Sequence, residues 1–227
     1  MKFNIQHTVM QSLEIILEPG ESVHTQAGGM AWMSDGIEMT TSAKGGLGGM
    51  LGRALSGSSL MLTTYKSKVP GGMVTFVTDA PGKIIPINLP AGGHLIAQRD
   101  TFLVSEESVT LEASFTKKFG AGLFGGEGFV LQKISGPGMF WAEVSGECQE
   151  YTLTPGQVMR VSPGHIAMFE PTVSYDIQAV KGITNMLFAG EGLFLATLTG
   201  PGKVWLQTMP ISNLAAAIRQ FIPTKSS

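Results

Sequence analysis

The residues that could bind a phosphate lie in two glycine-rich segments. Residues 120–125 read Gly-Ala-Gly-Leu-Phe-Gly and fit the spacing G-x-G-x-x-G of dinucleotide-binding loops. Such a loop needs a strand before it and a helix after it, whereas a strand-like segment follows here. Residues 45–52 are also rich in glycine but lack the Gly-Lys-Ser or Gly-Lys-Thr ending of a phosphate-binding P-loop. We therefore do not expect the protein to bind a nucleotide.

Two glutamates are the candidates for acid–base chemistry. Glu127 and Glu191 occupy matching Gly-Glu-Gly segments, and a pair of carboxylates can perform general acid–base catalysis. We favour hydrogen bonds from these glutamates to neighbouring backbone amides, because residues repeated within a chain usually do repeated structural work. The sequence contains no G-x-S-x-G segment, and no Ser-His-Asp set stands out. We predict no catalytic residues, and the sequence leans against an enzyme.

The histidines and the single cysteine lack the spacing of a metal site. His7, His24, His94 and His165 form no H-x-H or H-x-x-x-H pair. A threefold arrangement could gather His94 and His165, but we favour solvated or half-buried histidines at turns. Cys148 excludes an intrachain disulfide, and we interpret it as a small half-buried core residue rather than a reactive thiol. We expect neither a metal nor a cofactor.

Lysine followed by an apolar, glycine-rich stretch recurs three times and marks candidate contact loops. We favour loops packed against each other or across a subunit interface, because glycine allows close backbone approach. Apolar loop tips that touch a lipid surface beside lysine are the alternative. The residues of these interface or membrane-contact loops are Lys44, Leu47, Met50, Leu51, Lys117, Lys118, Phe124, Lys181, Leu187 and Phe188.

Charge is scarce in this chain of 227 residues. Lys and Arg number 15 and Asp and Glu number 17, which gives a net charge of −2. That balance excludes a dedicated basic nucleic-acid groove. Charged residues make up 14%, and a surface so poor in charge favours oligomerisation or membrane contact. Neither a signal peptide nor a bilayer-spanning helix is visible, so we expect a cytoplasmic protein, with peripheral contact at the inner face of the membrane.

Two proline-containing markers recur in the same order and indicate internal repeats. Their spacings are 64 to 71 residues, and two independent markers with one period make chance agreement improbable. We therefore predict three β repeats at residues 3–77, 78–146 and 147–210, packed as one globular unit. The prolines of the early and the late marker are Pro19, Pro90 and Pro155, and Pro70, Pro137 and Pro201.

Short strands separated by turns fill these repeats. The strand-like segments are rich in β-branched, aromatic and leucine residues, and Gly or Pro bounds them. This pattern predicts an all-β fold of three tandem sandwich-like or barrel-like repeats with a short C-terminal helix. The segments are residues 13–17, 60–65, 73–77, 83–87, 129–134, 140–144, 192–198 and 204–207.

A helix is predicted within residues 211–222, followed by a tail at 223–227. Ser212 is the expected N-cap of a segment from Asn213 to Ile222, and Pro223 would end it. We interpret the helix as a lid on a sheet edge or on a neighbouring subunit, with membrane-surface binding as the alternative. Its apolar stripe consists of Leu214, Ala217, Ile218 and Phe221.

The chain resembles a widespread prokaryotic family related to the mitochondrial biogenesis ("altered inheritance of mitochondria") proteins. Gly-Glu-Gly-Leu-Phe-Leu at 190–195, Gly-Pro-Gly-x-x-Trp at 200–205 and the helix ending near Ile222 carry the resemblance, which covers nearly the whole chain. It implies β-sandwich modules similar to the tryptophan RNA-binding attenuation protein (TRAP), duplicated in one chain and assembled as homotrimeric rings. The resemblance also implies that the mitochondrial members associate with the inner membrane. It implies no set of catalytic residues.

The sequence as a whole favours a non-enzymatic structural or scaffold protein that acts as a homo-oligomeric β assembly and contacts a membrane. Its expected partner is itself, as a homotrimer, and nucleic acid is not expected. The alternative is a small-ligand binding module with a site between repeats or at the oligomer centre. The sequence does not name a ligand.

Overall fold

The computed structural model describes residues 1–26, 28–43, 61–117, 129–179, 194–219 and 221–222. Within these ranges the chain consists mostly of β-strands with one short α-helix near its end, so the predicted all-β class is confirmed. The strands are β1 (Lys2–Gln6), β2 (Ser12–Leu17), β3 (Ser22–Gln26), β4 (Met30–Met33), β5 (Ile37–Ala43), β6 (Met61–Ser67), β7 (Gly72–Val77), β8 (Gly82–Leu89), β9 (His94–Gln98), β10 (Phe102–Glu106), β11 (Thr110–Lys117), β12 (Phe129–Ser135), β13 (Gly138–Ser145), β14 (Cys148–Leu153), β15 (Val158–Val161), β16 (Ile166–Phe169), β17 (Ser174–Ala179), β18 (Phe194–Thr199) and β19 (Gly202–Gln207).

The first of two compact units contains Met1–His94, Asp100–Ala113 and Ile134–Val144. Its sheets have the strand orders β1-β2-β7-β4 and β5-β6-β3-β10-β13-β8. Alternate residues of β2 are buried because successive side chains of a strand point to opposite faces. The core cluster of this unit consists of Leu13, Ile15, Leu17, Val23, Tyr65, Val74, Phe76, Ile84, Leu103, Val104 and Trp141.

The second unit contains Leu95–Arg99, Ser114–Lys133 and Ser145–Ser227. Its sheets have the orders β11-β12-β9-β16-β19-β14 and β15-β18-β17. The three-repeat division at residues 3–77, 78–146 and 147–210 remains a prediction. The core cluster of the second unit consists of Phe129, Leu131, Leu153, Val161, Ile166, Phe169, Val173, Ile177, Ala196, Leu198 and Val204.

The helix, α1 (Ile211–Arg219), begins two residues earlier than the sequence pattern predicted. The carbonyl of Pro210 accepts the N–H groups of Asn213 (2.9 Å) and Leu214 (3.2 Å), so Ser212 lies inside the first turn and is not the N-cap. No residue of α1 is buried. Ser212 and Leu214 are half-buried, and the lid on a sheet edge or on a neighbouring subunit stays a prediction.

Candidate assembly interface

The predicted contact loops fall almost entirely outside the described residues, and so do both Gly-Glu-Gly glutamates. Lys117 is the last residue of β11. The roles predicted for these loops therefore stay predictions. The residues outside the described ranges are Lys44, Leu47, Met50, Leu51, Lys118, Phe124, Glu127, Lys181, Leu187, Phe188 and Glu191.

His24 is a buried strand residue rather than the turn histidine that we expected. It lies in β3, where its Nε2 is 3.0 Å from Oγ of Ser105. Its ring also stacks on Phe102, with the ring centroids 6.3 Å apart. The expectation failed because the opposite strand, β10, covers this residue, and strand pairing is not visible in local sequence.

The surroundings of His165 and Cys148 favour structural roles over chemical ones. Nδ1 of His165 lies 2.7 Å from the carbonyl oxygen of Gln207. Cys148 is half-buried in β14, as expected, and burial raises the pKa of its thiol, with Glu150 and Glu147 acting in the same direction. A raised pKa leaves little thiolate at neutral pH, so the thiol is not activated. Across the described ranges, no group of three or more His, Cys, Asp and Glu side chains could hold a metal ion.

The early proline markers form three similar tight turns. In each turn the fourth residue donates its N–H to the carbonyl of the first, as in a β-turn. The carbonyl of that fourth residue then accepts an N–H from a residue at or near the late marker. The turn bonds are Glu21 to Glu18 (3.0 Å), Gly93 to Pro90 (2.9 Å) and Gln157 to Thr154 (3.0 Å), and the second bonds are Ser67 to Glu21 (3.0 Å), Gly136 to Gly93 (2.9 Å) and Gly200 to Gln157 (3.0 Å). The two markers are therefore structural contacts and not a reactive site.

The late markers share a second feature, a side-chain acceptor for the strand that follows the turn. Met139 donates its N–H to Oε2 of Glu106, and Lys203 donates its N–H to Oε2 of Glu170, both at 2.9 Å. The hydroxyl of Ser34 accepts the N–H of Met73 at 2.9 Å in the corresponding place. Sequence reasoning missed these acceptors because they lie 33 to 39 residues before the donors.

Three strand pairs contain a bulge at corresponding positions. The register of β4 with β7 shifts between Met30 and Trp32, and that of β10 with β13 shifts between Phe102 and Val104. The register of β16 with β19 shifts between Ile166 and Met168. A bulge bends and twists the strand that carries it. These pairs, with the turns and acceptors, identify β4, β10 and β16 as corresponding strands.

Among the described residues, two of these corresponding strands are paired on both sides, and the third is not. The second neighbour of β10 is β3, and the second neighbour of β16 is β9. In contrast, β4 is the last strand of its sheet. The strand that corresponds to β3 and β9 is β15, because each begins two residues after a left-handed turn glycine: Gly20, Gly92 or Gly156. β15 is also the last strand of its sheet.

Both open strands expose large apolar side chains. Trp32 and Met33 of β4 are 52% and 38% exposed, and Val158 of β15 is 54% exposed. An edge strand with unpaired backbone groups and exposed apolar residues is a template for pairing with another chain. Other edge strands also expose apolar residues, but β4 and β15 are the interface candidates because their corresponding strands are paired on both sides.

A half-buried carboxylate, that of Glu143, lies in β13. Oε2 of Glu143 accepts the N–H of Asp79 at 3.0 Å. Burial raises the pKa of Glu143 to about 8; the Asp79 and Asp100 carboxylates add to this, while the hydrogen bond opposes it. Gln207 makes the corresponding bond in β19, where its Oε1 accepts the N–H of Ser145 at 3.1 Å. The neutral amide at the second site identifies this position as a structural one.

Together, these features define an all-β protein with turn markers bonded to one another and two edge strands, β4 and β15, whose corresponding strands are paired on both sides. The sequence model of the family described as "Mitochondrial biogenesis AIM24" matches residues 3–209, and the chain belongs to that family. This confirms the family resemblance seen in the sequence. No helix in the described part of the chain is long and apolar enough to span a membrane.

The chain is also similar to two streptococcal proteins. An uncharacterized protein of Streptococcus pyogenes serotype M6 is 26% identical over 235 residues, which cover 100% of this chain and 93% of that protein. The X-ray crystal structure of a Streptococcus pyogenes protein has a TM-score of 0.79 at 24% identity, covering 97% of this chain and 99% of the other. That structural similarity shows a shared fold.

Proposed function

We propose that this protein is a non-enzymatic structural scaffold that acts as a homo-oligomeric β assembly, a homotrimer whose partner is another copy of the same chain. The observation that supports the proposal is the pair of open strand edges on β4 and β15. Their corresponding strands are paired within the chain, β10 with β3 and β16 with β9. Pairing β15 of one copy with β4 of the next would continue that arrangement and cover both edges.

The internal pairs supply the register of the proposed intermolecular pair. Ser105 of β10 lies opposite His24 of β3, and Phe169 of β16 lies opposite Ile96 of β9. In the corresponding register, Met33 of one copy lies opposite Arg160 of the next. Both side chains are exposed in the single chain. The two positions therefore provide a direct test, because like charges placed opposite each other across an antiparallel pair are destabilising.

The proposal includes the finer expectations from the family resemblance. These are a fold similar to TRAP, and a cytoplasmic location with peripheral contact at the inner face of the membrane. The net charge of −2 supports the absence of nucleic acid from the list of partners. The described residues offer no observation that favours the small-ligand alternative, so we propose only the scaffold.

The experiment compares Met33→Arg with Met33→Glu by sedimentation velocity. Wild-type protein should sediment as three chains of 24.0 kDa. Met33→Arg places a cation opposite Arg160 and should weaken association roughly tenfold or more, as expected for like charges at an interface. Met33→Glu, the matched control, should associate at least as well as wild-type protein, because its charge complements Arg160.

Adding Arg160→Glu to Met33→Arg should restore association, because the opposite charges are exchanged between the two strands. This rescue separates a specific register from a general effect of charge on the edge. Wild-type protein that remains a monomer at micromolar concentration would overturn the proposed assembly. Equal association of the Arg and Glu variants at Met33 would overturn the register.

A further inference from the structure

The C-terminal helix α1 and the turn after it expose a continuous apolar face. Ile218 is 50% exposed and Phe221 is 85% exposed. Ile211, Leu214 and Ile218 are spaced three and four residues apart, so they lie on one side of the helix. No residue of α1 is buried, and although Leu214 is half-buried, most of this face is open within the described part of the chain. An exposed apolar face of this kind marks an interaction site.

The chain leading into α1 lies at a junction that resembles one earlier in the sequence. Met209 donates its N–H to the carbonyl of Ser145 at 3.1 Å, which places the residues after β19 against those before β14. Gly82 donates its N–H to the carbonyl of Val9 at 2.8 Å, which places the residues before β8 against those before β2. We call the residues just before β2, β8 and β14 the lead-in segments of these strands. The residues after β19 contact the lead-in segment of β14 as the lead-in segment of β8 contacts that of β2, so they occupy the place of a further lead-in segment.

We propose that α1 packs on a second copy of the chain, against residues 7–11 before β2 of that copy. In the head-to-tail pairing of β15 with β4, the next copy supplies the next lead-in segment, and this inference rests on that proposed assembly. Val9 and Met10 of this segment are 64% and 50% exposed, so they offer an open apolar surface. Contact between the two surfaces would cover both.

Interface size and charge also favour a second copy of the chain. β4 and β15 contribute four residues each, whereas a stable interface buries about 800 Å² and 20 to 30 residues per partner. The pairing of strands therefore needs a second contact, and α1 adds nine residues. Residues 211–222 contain Arg219 and no acidic residue, and residues 7–11 contain no Lys, Arg, Asp or Glu, so no like-charge repulsion opposes this contact.

The test replaces an apolar residue of α1 and compares it with a change on the opposite side of the helix. Ile218→Asp should weaken self-association roughly tenfold or more in sedimentation velocity, because the interface loses a central apolar contact. Ala216→Asp introduces the same charge two residues away on the polar side and should leave association unchanged. Urea unfolding of the dilute chains should give equal stabilities for both variants, since neither side chain is buried.

A crosslink tests the acceptor surface directly. Ile218→Cys and Val9→Cys, combined in a Cys148→Ser background, should form a disulfide between copies on mild oxidation. The same experiment with Ala216→Cys in place of Ile218→Cys should give little crosslinked dimer. Absence of the Ile218–Val9 crosslink in protein that does assemble would overturn the proposed acceptor surface.

The outcomes separate this inference from the proposed function. If wild-type protein is a monomer, the assembly and the role of α1 fall together. If Met33→Arg weakens assembly and Ile218→Asp does not, the scaffold stands and the role of α1 is wrong. Loss of flotation with phosphatidylglycerol vesicles in Ile218→Asp, at unchanged self-association, would overturn the inference in favour of a lipid surface.

Discussion

At the scale of single residues, Glu143 and Gln207 show the same hydrogen bond made with and without a charge. Each accepts a backbone N–H, from Asp79 and from Ser145 respectively. The carboxylate is costly where the amide is not, because burial penalises the charged form. The pKa of Glu143 is accordingly raised to about 8. The carboxylate of Glu143 therefore lowers the free energy of unfolding in a pH-dependent way, and the amide of Gln207 does not.

This cost gives a prediction for Glu143→Gln. The raised pKa means that folded Glu143 retains a proton that the unfolded chain has released, so its contribution to the free energy of unfolding of wild-type protein falls from about pH 4.5 to about pH 8. Glu143→Gln should remove that part of the fall. Urea unfolding should show nearly equal stabilities at pH 4.5 and an advantage for the variant of roughly 2 to 4 kcal/mol at pH 9.

Glu18→Gln serves as the control for that measurement. Glu18 is exposed at a turn, so replacing its carboxylate should leave the pH dependence of unfolding as in wild-type protein. Profiles for wild type and Glu143→Gln that run parallel from pH 4.5 to pH 9 would contradict the assignment of this slope to Glu143.

At the scale of elements, the late proline marker is held by a glycine that no other residue can replace easily. Gly138 has a φ of +134°, a region that L side chains rarely adopt. A Cβ atom there would lie 2.6 Å from Oγ of Ser108 and 2.9 Å from Oε2 of Glu106. Glu106 is also the acceptor for the N–H of Met139. A side chain at position 138 would thus disturb the bond that starts β13.

Gly138→Ala should therefore destabilise the protein by roughly 1 to 3 kcal/mol, as strained backbone positions usually do. Gly71→Ala is the matched control. Gly71 also has a positive φ, of +67°, but a Cβ atom there would meet nothing within 4 Å. Its cost should be limited to about 1 kcal/mol. Thermal or urea unfolding measures both, and a Gly71→Ala loss as large as that of Gly138→Ala would contradict the contact argument.

At the scale of the whole molecule, stability and assembly should be linked. A partner that binds only folded chains stabilises them by mass action. The melting temperature of wild-type protein should therefore rise by a few degrees over roughly a hundredfold increase in protein concentration. Met33→Arg should melt at one temperature throughout that range. A wild-type melting temperature that is independent of concentration would argue against the proposed homo-oligomer.

The sequence predicted those strands whose apolar residues alternate or cluster. β2, β7, β12 and β19 were each anticipated within two residues at either end. The strands that it missed are short or polar, such as β3 (Ser-Val-His-Thr-Gln) and β14 (Cys-Gln-Glu-Tyr-Thr-Leu). Such segments become strands because a partner strand satisfies their backbone groups, and the paired residues of β14 and β19 are 49 to 59 positions apart in the sequence.

Of the candidate site, the sequence supplied the turn markers but not the open edges. Proline and glycine fix backbone angles locally, so the markers can be found from residue types alone. Whether Trp32 lies on an edge or inside a sheet depends on whether a second strand, besides β7, pairs with β4. The buried position of His24 and the half-buried position of Glu143 depend in the same way on strands that arrive from elsewhere in the chain.

The sequence by itself determined the all-β class, the places where the chain turns and the presence of a helix near the C-terminus. These features follow from local preferences, in which φ limits and apolar periodicity act over a few residues. The tertiary structure decided which strands end a sheet, which polar side chains are buried and that the apolar face of α1 has no buried residue. Burial and strand pairing join residues that are distant in sequence, so only the folded chain specifies them.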